Sequence, residues 1–110
     1  MAQMTEAIPP KESLYYRLEG RVDRPAVSEL QRALRGDAAA SVILDLSHVE
    51  LIDDATLAFL TMSLVAIGRR QRKAMALRGL RQRQIRLLSH LGVEFAQDGS
   101  IEARGQGRGA

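Results

Sequence analysis

The segment Val42-Ile-Leu-Asp-Leu-Ser-His-Val-Glu-Leu-Ile-Asp-Asp-Ala-Thr-Leu-Ala-Phe-Leu60 changes its apolar period halfway along, and that change limits what the chain can fold into. Val42, Ile43 and Leu44 form a β-branched apolar run of the kind that fills a strand covered on both faces, and Leu46 extends it. After a short turn the period becomes helical. Leu57, Leu60, Leu64 and Ile67 recur at three- and four-residue spacing, flanked by Phe59, Met62 and Val65, which describes a broad apolar helix face. Asp53 or Asp54 suits the helix start, because a short carboxylate there accepts from free backbone N–H groups and lies at the positive end of the helix dipole.

The rest of the chain alternates in the same way. Ser13 to Glu19 reads as a strand with Leu14, Tyr16 and Leu18 on one face, closed by Gly20. Asp23-Arg-Pro25 opens a helix with Val27, Leu30 and Leu34 as its buried stripe, and Gly36-Asp37 ends it. Ser41 to Asp45 is the next strand, and the long helix runs from about Asp54 to Gln71. Ala74 to Arg78 is a short strand. Arg81 to Leu91 is a helix with Ile85, Leu88 and Leu91 inward and Gly92 as its C-cap. Val93 to Ala96 is a final strand or an extended segment packed by Phe95. Residues 1–12, with Pro9-Pro10, read as a flexible arm, and residues 97–110 as a mobile tail, which leaves residues 13–96 as the folded domain. Strand and helix in regular alternation give an α/β domain with crossover connections and a mainly parallel sheet.

At Val49-Glu-Leu-Ile-Asp-Asp-Ala-Thr-Leu-Ala58 the chain resembles the STAS family (sulphate transporter and anti-sigma factor antagonist), in which a strand ending Asp-Leu-Ser leads to a hydrophobic-Ile-Asp-Ser-Ser/Thr-Gly-Leu loop at the head of a helix. Asp45-Leu-Ser47, Ile52-Asp53, Leu57 and the later Leu77-Arg-Gly-Leu80 before a helix carry the resemblance, which extends from about Leu14 to about Val93. It implies a mixed, mainly parallel sheet of about four strands with the helices chiefly on one face. In such a sheet the Asp53 turn lies at the C-terminal end of the central strand, where open α/β sheets place their functional surfaces.

The resemblance also implies a function. Antagonist members bind an anti-sigma factor of the serine-kinase type through this loop and the adjacent helix, and phosphorylation of the serine two places after the signature aspartate switches them off. That place is Ala55, which has no hydroxyl. Thr56 stands where the family usually has glycine, and Asp54 stands at the first serine or threonine of the motif, adding fixed negative charge beside the place a phosphate would occupy. The chain is therefore expected to be a non-enzymatic interaction domain, most like an antagonist that binds constitutively or is controlled through its partner. Asp53, Asp54, Ala55, Thr56 and Leu57 form its partner-binding loop, and Asp54 and Thr56 face the partner from the exposed first turn. Two alternatives remain: the cytoplasmic STAS part of a sulphate-type (SulP) anion transporter, to which Tyr16-Arg-Leu-Glu-Gly20 and Ile52-Asp-Asp-Ala-Thr-Leu57 look similar, and the STAS subunit that supports the ATPase of an ABC lipid-transport system. A nucleotide- or lipid-holding role stays open beside them.

Composition sets outer limits. A chain of 110 residues suffices for one small domain with one core. Cysteine is absent, so disulfides and thiolate metal sites are excluded and nothing points to an oxidising compartment. With neither a signal-like apolar segment nor a run long enough to cross a bilayer, the expected location is the cytoplasm. The net charge of +3 hides a concentration of cations at Arg69, Arg70, Arg72, Lys73, Arg78, Arg81, Arg83 and Arg86. Arg69 to Lys73 suit the negative end of a helix and the others a solvated surface; the functional alternative is a patch for an acidic protein or anionic lipid headgroups. That segment has no aromatic residue to stack bases and no nucleic-acid motif surrounds it, so nucleic acid is not an expected partner.

Other candidates read as structural. Adjacent Asp53 and Asp54 diverge at a helix start and lack a third ligand nearby, so capping is favoured over a metal or acid/base pair. His48 and His90 stand apart, on a turn and late in a helix. Ser47 is a candidate phosphorylation site, although after a strand it more naturally bonds its own turn. Thr56 is the other candidate, as the only hydroxyl in the first turn of the long helix. No metal site and no cofactor are implied.

Overall fold

The computed structural model describes residues 13–36 and 39–103. The elements run β1 (Ser13–Arg21), α1 (Arg24–Arg35), β2 (Ser41–Leu51), α2 (Asp54–Gln71), β3 (Ala74–Arg78), α3 (Gln82–His90), β4 (Val93–Phe95) and β5 (Ile101–Ala103). The expected N-terminal arm and residues 104–110 lie outside the described part.

The order β1-β2-β3 is parallel throughout, as strand–helix–strand crossovers require. In register, Leu14, Val42 and Met75 share a row, as do Tyr16, Leu44 and Leu77. These residues belong to the core beneath the helices, with Val27, Leu34, Leu57, Leu60, Leu64 and Leu88 as helical partners. On the opposite face the rows are Tyr15, Ile43, Ala76 and Arg17, Asp45, Arg78. There Tyr15 is 53% exposed and Ile43 only half-buried, which corrects the reading of β2 as a strand covered on both faces. The β-branched run suggested double burial, but residue alternation sends Ile43 away from the helix layer.

Asp23 caps α1 by accepting from the amide of Ala26 at 3.0 Å, with Pro25 in the first turn, and Val27, Leu30 and Leu34 are buried as their spacing requires. α2 buries Leu57, Leu60, Leu64 and Ile67. Its far end turns through Arg72, whose φ of 57° is left-handed, and then fastens to α1. Lys73 Nζ donates to the Leu34 carbonyl at 3.0 Å and Gln71 Nε2 to the Arg35 carbonyl at 3.3 Å. Lys73, read from sequence as suiting the negative end of the long helix, is instead buried over the carbonyls of the last α1 turn, where the helix dipole favours positive charge.

Three further boundaries differ from the sequence reading. β2 continues past Asp45 to Leu51, because β1 stays paired with it through two register irregularities up to Arg21 opposite Leu51. Leu91, expected inward, is 49% exposed, since α3 ends at His90 and Gly92, at φ 95°, redirects the chain. The segment from Gln97, expected to open the tail, instead forms the turn of an antiparallel β4–β5 hairpin. Asp98 accepts from the Ser100 amide at 2.9 Å, and Gly99 lies at φ 90° so close to β3 that a Cβ would sit 2.7 Å from the Leu77 carbonyl oxygen. Leu77 donates to the Gly99 carbonyl at 2.9 Å, and Ser100 bridges Ala76. This antiparallel contact at the β3 edge makes the assembly mixed, as expected.

Candidate functional site

The loop between β2 and α2 leaves the C-terminal end of the central strand and carries the residues singled out above. Asp53 is the cap: its Oδ1 accepts from the Thr56 amide at 2.7 Å, and this bond, with a further one to the Thr56 hydroxyl, holds its carboxyl below the ordinary range. Asp54 follows as the first helical residue, with its carboxylate toward α3. Arg83 grips it with both guanidinium nitrogens, at 3.0 and 3.3 Å, which lowers the Asp54 pKa and raises that of Arg83. Arg83, read from sequence as part of a solvated surface, is therefore a neighbour of the loop across α2 and α3.

The five loop residues divide by burial. Asp53, Asp54 and Ala55 face outward, whereas Thr56 is 4% exposed and Leu57 is 1% exposed. This corrects the expectation that Thr56 faces a partner. Its position one turn before Leu60 puts it on the inward stripe, and its hydroxyl is engaged by the capping aspartate. Of the two candidate phosphorylation sites, only Ser47 is exposed. Its amide donates to Asp45 Oδ1 at 2.9 Å and its hydroxyl lies 3.2 Å from His48 Nδ1. Gly79 backs it so closely that a Cβ there would lie 2.4 Å from the Ser47 nitrogen.

Leu51, 54% exposed, stands between two depressions at this end of the sheet. On the α1 side a cavity of about 470 Å³ is lined by Arg24, Pro25, Leu51, Ile52, Asp53 and Thr56. On the α3 side a cavity of about 200 Å³ is lined chiefly by Ser47, Glu50, Leu51, Ile52, Arg81 and Arg83. Arg24 lies over the Phe59 ring, 4.2 Å from its centroid, joining the head of α1 to the second turn of α2.

Beyond the loop, α2 has a property that its leucine spacing does not reveal. No residue from Ala55 to Gly68 is charged, and the outward side of the helix is made of Ala55, Met62 and Ala66, with Ala58, Phe59 and Ser63 half-buried beside them, Ser63 accepting from Gln31 of α1. A helix with one face in solvent ordinarily carries charge there, whereas one that is apolar all round is ordinarily covered all round. The signal was present in the sequence as the missing charges.

On the far face of the sheet, the Tyr15 hydroxyl donates to Asp45 Oδ2 at 2.5 Å. With the Ser47 amide, it brings the Asp45 carboxyl down to about 2. The pairing of Tyr15 with Asp45 was not foreseen, because it depends on the parallel register of β1 and β2. Among the described residues no cluster of histidine and carboxylate side chains could hold a metal ion, and no helix is long and apolar enough to cross a membrane.

A family model described as "Mlab, STAS domain" matches residues 10–95. The structure of a SulP transporter STAS domain from Vibrio cholerae matches with a TM-score of 0.62 at 22% sequence identity, over 82% of this chain and 71% of that one. No curated protein gives a significant match.

Proposed function

Since the chain belongs to the STAS domain family, we propose that it is a non-enzymatic, cytoplasmic protein-interaction domain that docks its partner on the outward face of α2 and the loop at its head. The observation that carries this reading is the uncharged run from Ala55 to Gly68 on a helix with one side open. Leaving such a face in water forgoes stabilisation of about 25 cal/mol for each Å² of apolar surface, which a partner recovers on docking. Asp53, Asp54 and Leu51 frame the head of this face with two carboxylates and one exposed leucine.

The finer reading is that of an anti-sigma antagonist without the usual switch. Ala55 occupies the acceptor position, and Thr56, the one neighbouring hydroxyl, is closed in against Asp53. The same observation favours a second reading, in which the domain stays permanently docked in a transport assembly, as the STAS part of a SulP-type transporter or the STAS subunit of an ABC lipid-transport system. Permanent docking has no need of an acceptor.

Calorimetric titration tests the docking face. The proteins encoded beside this one would be titrated with wild type, Met62→Arg, Asp54→Lys and, as a control on the far face of the sheet, Arg17→Ala. Loss of binding with the first two and retention with the third is expected. Binding that survives Met62→Arg and Asp54→Lys but falls with Arg17→Ala overturns the reading. An anti-sigma serine kinase, a membrane permease or an ABC ATPase as the bound protein selects among the finer assignments.

A further inference from the structure

The uncharged face of α2 has an internal symmetry. Read at four-residue intervals along the helix, the row is Asp54, Ala58, Met62, Ala66, Arg70. About Met62 the row carries an alanine on either side and ends in opposite charges. Side chains four apart form a ridge inclined to the helix axis, and two such ridges run alongside each other when the helices cross at about 50°. For two copies related by a two-fold axis through Met62, the antiparallel sense sets Ala58 of each beside Ala66 of the other, and Asp54 of each beside Arg70 of the other. Met62, 39% exposed, meets its own counterpart, and the alanines leave room for the close approach of the backbones. A parallel arrangement would set Asp54 against Asp54 and Arg70 against Arg70.

We propose that a second copy of this chain is an occupant of the α2 face, so that the protein is in equilibrium with a two-fold, antiparallel α2–α2 dimer. This deepens the reading of α2 as the docking face: self-pairing covers the same residues and competes with the partner, so free protein at high concentration stores its docking face under its own copy. Charge complementarity selects the occupant. Arg70 has no acidic side chain paired with it among the described residues, and the Asp54 carboxylate, already held by Arg83, keeps half of its surface open toward a second guanidinium. A single helix ridge falls short of the roughly 800 Å² per partner of a stable complex, so the dimer is weak and exchanges with monomer. The arrangement is isologous and therefore closes at two copies.

The chain contains no cysteine, which permits a direct test. In Met62→Cys the two-fold axis places both thiols together, so mild oxidation should give a disulfide-linked dimer much faster than in Ser28→Cys, whose thiol would lie on the exposed side of α1. Sedimentation velocity over a concentration series should show the wild type moving from monomer toward dimer. Arg70→Asp should weaken association at least about tenfold, and Asp54→Arg combined with Arg70→Asp should restore it. Equal oxidation rates for the two cysteine variants, or a wild type that stays monomeric at the highest concentration, overturns the proposal. So does dimerisation unaffected by Arg70→Asp. The two readings fail separately. A monomeric wild type whose partner binding is still lost with Met62→Arg overturns self-pairing alone. A dimer abolished by Met62→Arg, with partner binding intact, supports self-pairing and overturns the docking reading.

Discussion

Leu60→Ala and Ile43→Ala, a pair that the apolar run alone would rank as equals, should differ sharply in cost. Leu60 is 1% exposed and sits in the cluster with Leu44, Leu57 and Leu64, beneath which the central strand lies. Truncation removes about three carbons' worth of transfer free energy, roughly 2.4 kcal/mol at about 0.8 kcal/mol each, and a cavity that the surrounding leucines cannot fill raises the total toward the upper part of the 2–5 kcal/mol range. Ile43 points to the face without helices and is half-buried, so its truncation forfeits part of the transfer term and opens no closed cavity; about 1–2 kcal/mol is expected. In a domain of this size each kcal/mol moves the melting temperature by about 4–8 °C, so Leu60→Ala should lower it by roughly 10–40 °C and Ile43→Ala by no more than about half of that. Far-ultraviolet circular dichroism melts and urea titrations on the two variants would measure it. Equal losses would mean that the Tyr15–Ile43–Ala76 face is covered as completely as the other, and the one-sided layering would be wrong.

Two further outcomes follow from the loop and the far sheet face. Tyr15→Phe removes the hydroxyl donor that is the main cause of the low Asp45 pKa of about 2, so the carboxyl should titrate nearer its ordinary 3.8 in an NMR pH series. A carboxylate depressed in the folded state stabilises above its unfolded pKa and loses that contribution as pH falls through the folded one; the wild type's advantage over Tyr15→Phe should therefore be full at neutral pH and fade between about pH 4 and pH 2, and an advantage independent of pH would contradict the assignment. Ala55→Ser places an exposed hydroxyl at the usual acceptor position, so an anti-sigma serine kinase that docks on the domain should phosphorylate the variant and leave the wild type unmodified by intact mass. Phosphate on the wild type that Thr56→Val abolishes would show that the inward threonine opens to the kinase.

The elements whose signals are local were legible. α1 announces itself through Asp23, Pro25 and its three buried residues, and α2 through its leucine spacing and the capping Asp53. What escaped depends on register or on distant partners. Ser47 to Leu51 look like a turn until β1 is laid beside them, and Gln97-Asp-Gly-Ser100 look like a tail until Leu77 supplies a partner for the Gly99 carbonyl. Side-chain destinations failed for the same reason. Nothing near Lys73 in sequence reveals the α1 carbonyl that it reaches, and nothing near Arg83 reveals Asp54. In the loop, the capping role of Asp53 was legible, but the direction of Thr56 was not, since its place one turn before Leu60 turns it inward against the core.

The hairpin turn at Gly99 also bears on solubility. A sheet with an open side offers a row of unsatisfied amides and carbonyls, and other chains add to such rows readily. Along β3 the Leu77 amide is taken by the Gly99 carbonyl, and Ala76 is bridged to Ser100, so the chain blocks that side of its own sheet with its own turn. A side chain at Gly99 would meet the Leu77 carbonyl and lift the turn away. The released strand, Ala-Met-Ala-Leu-Arg, is short, apolar and nearly uncharged. Loss of Gly99 should therefore appear first as precipitation on concentrating or storing the protein, before any large fall in its melting temperature.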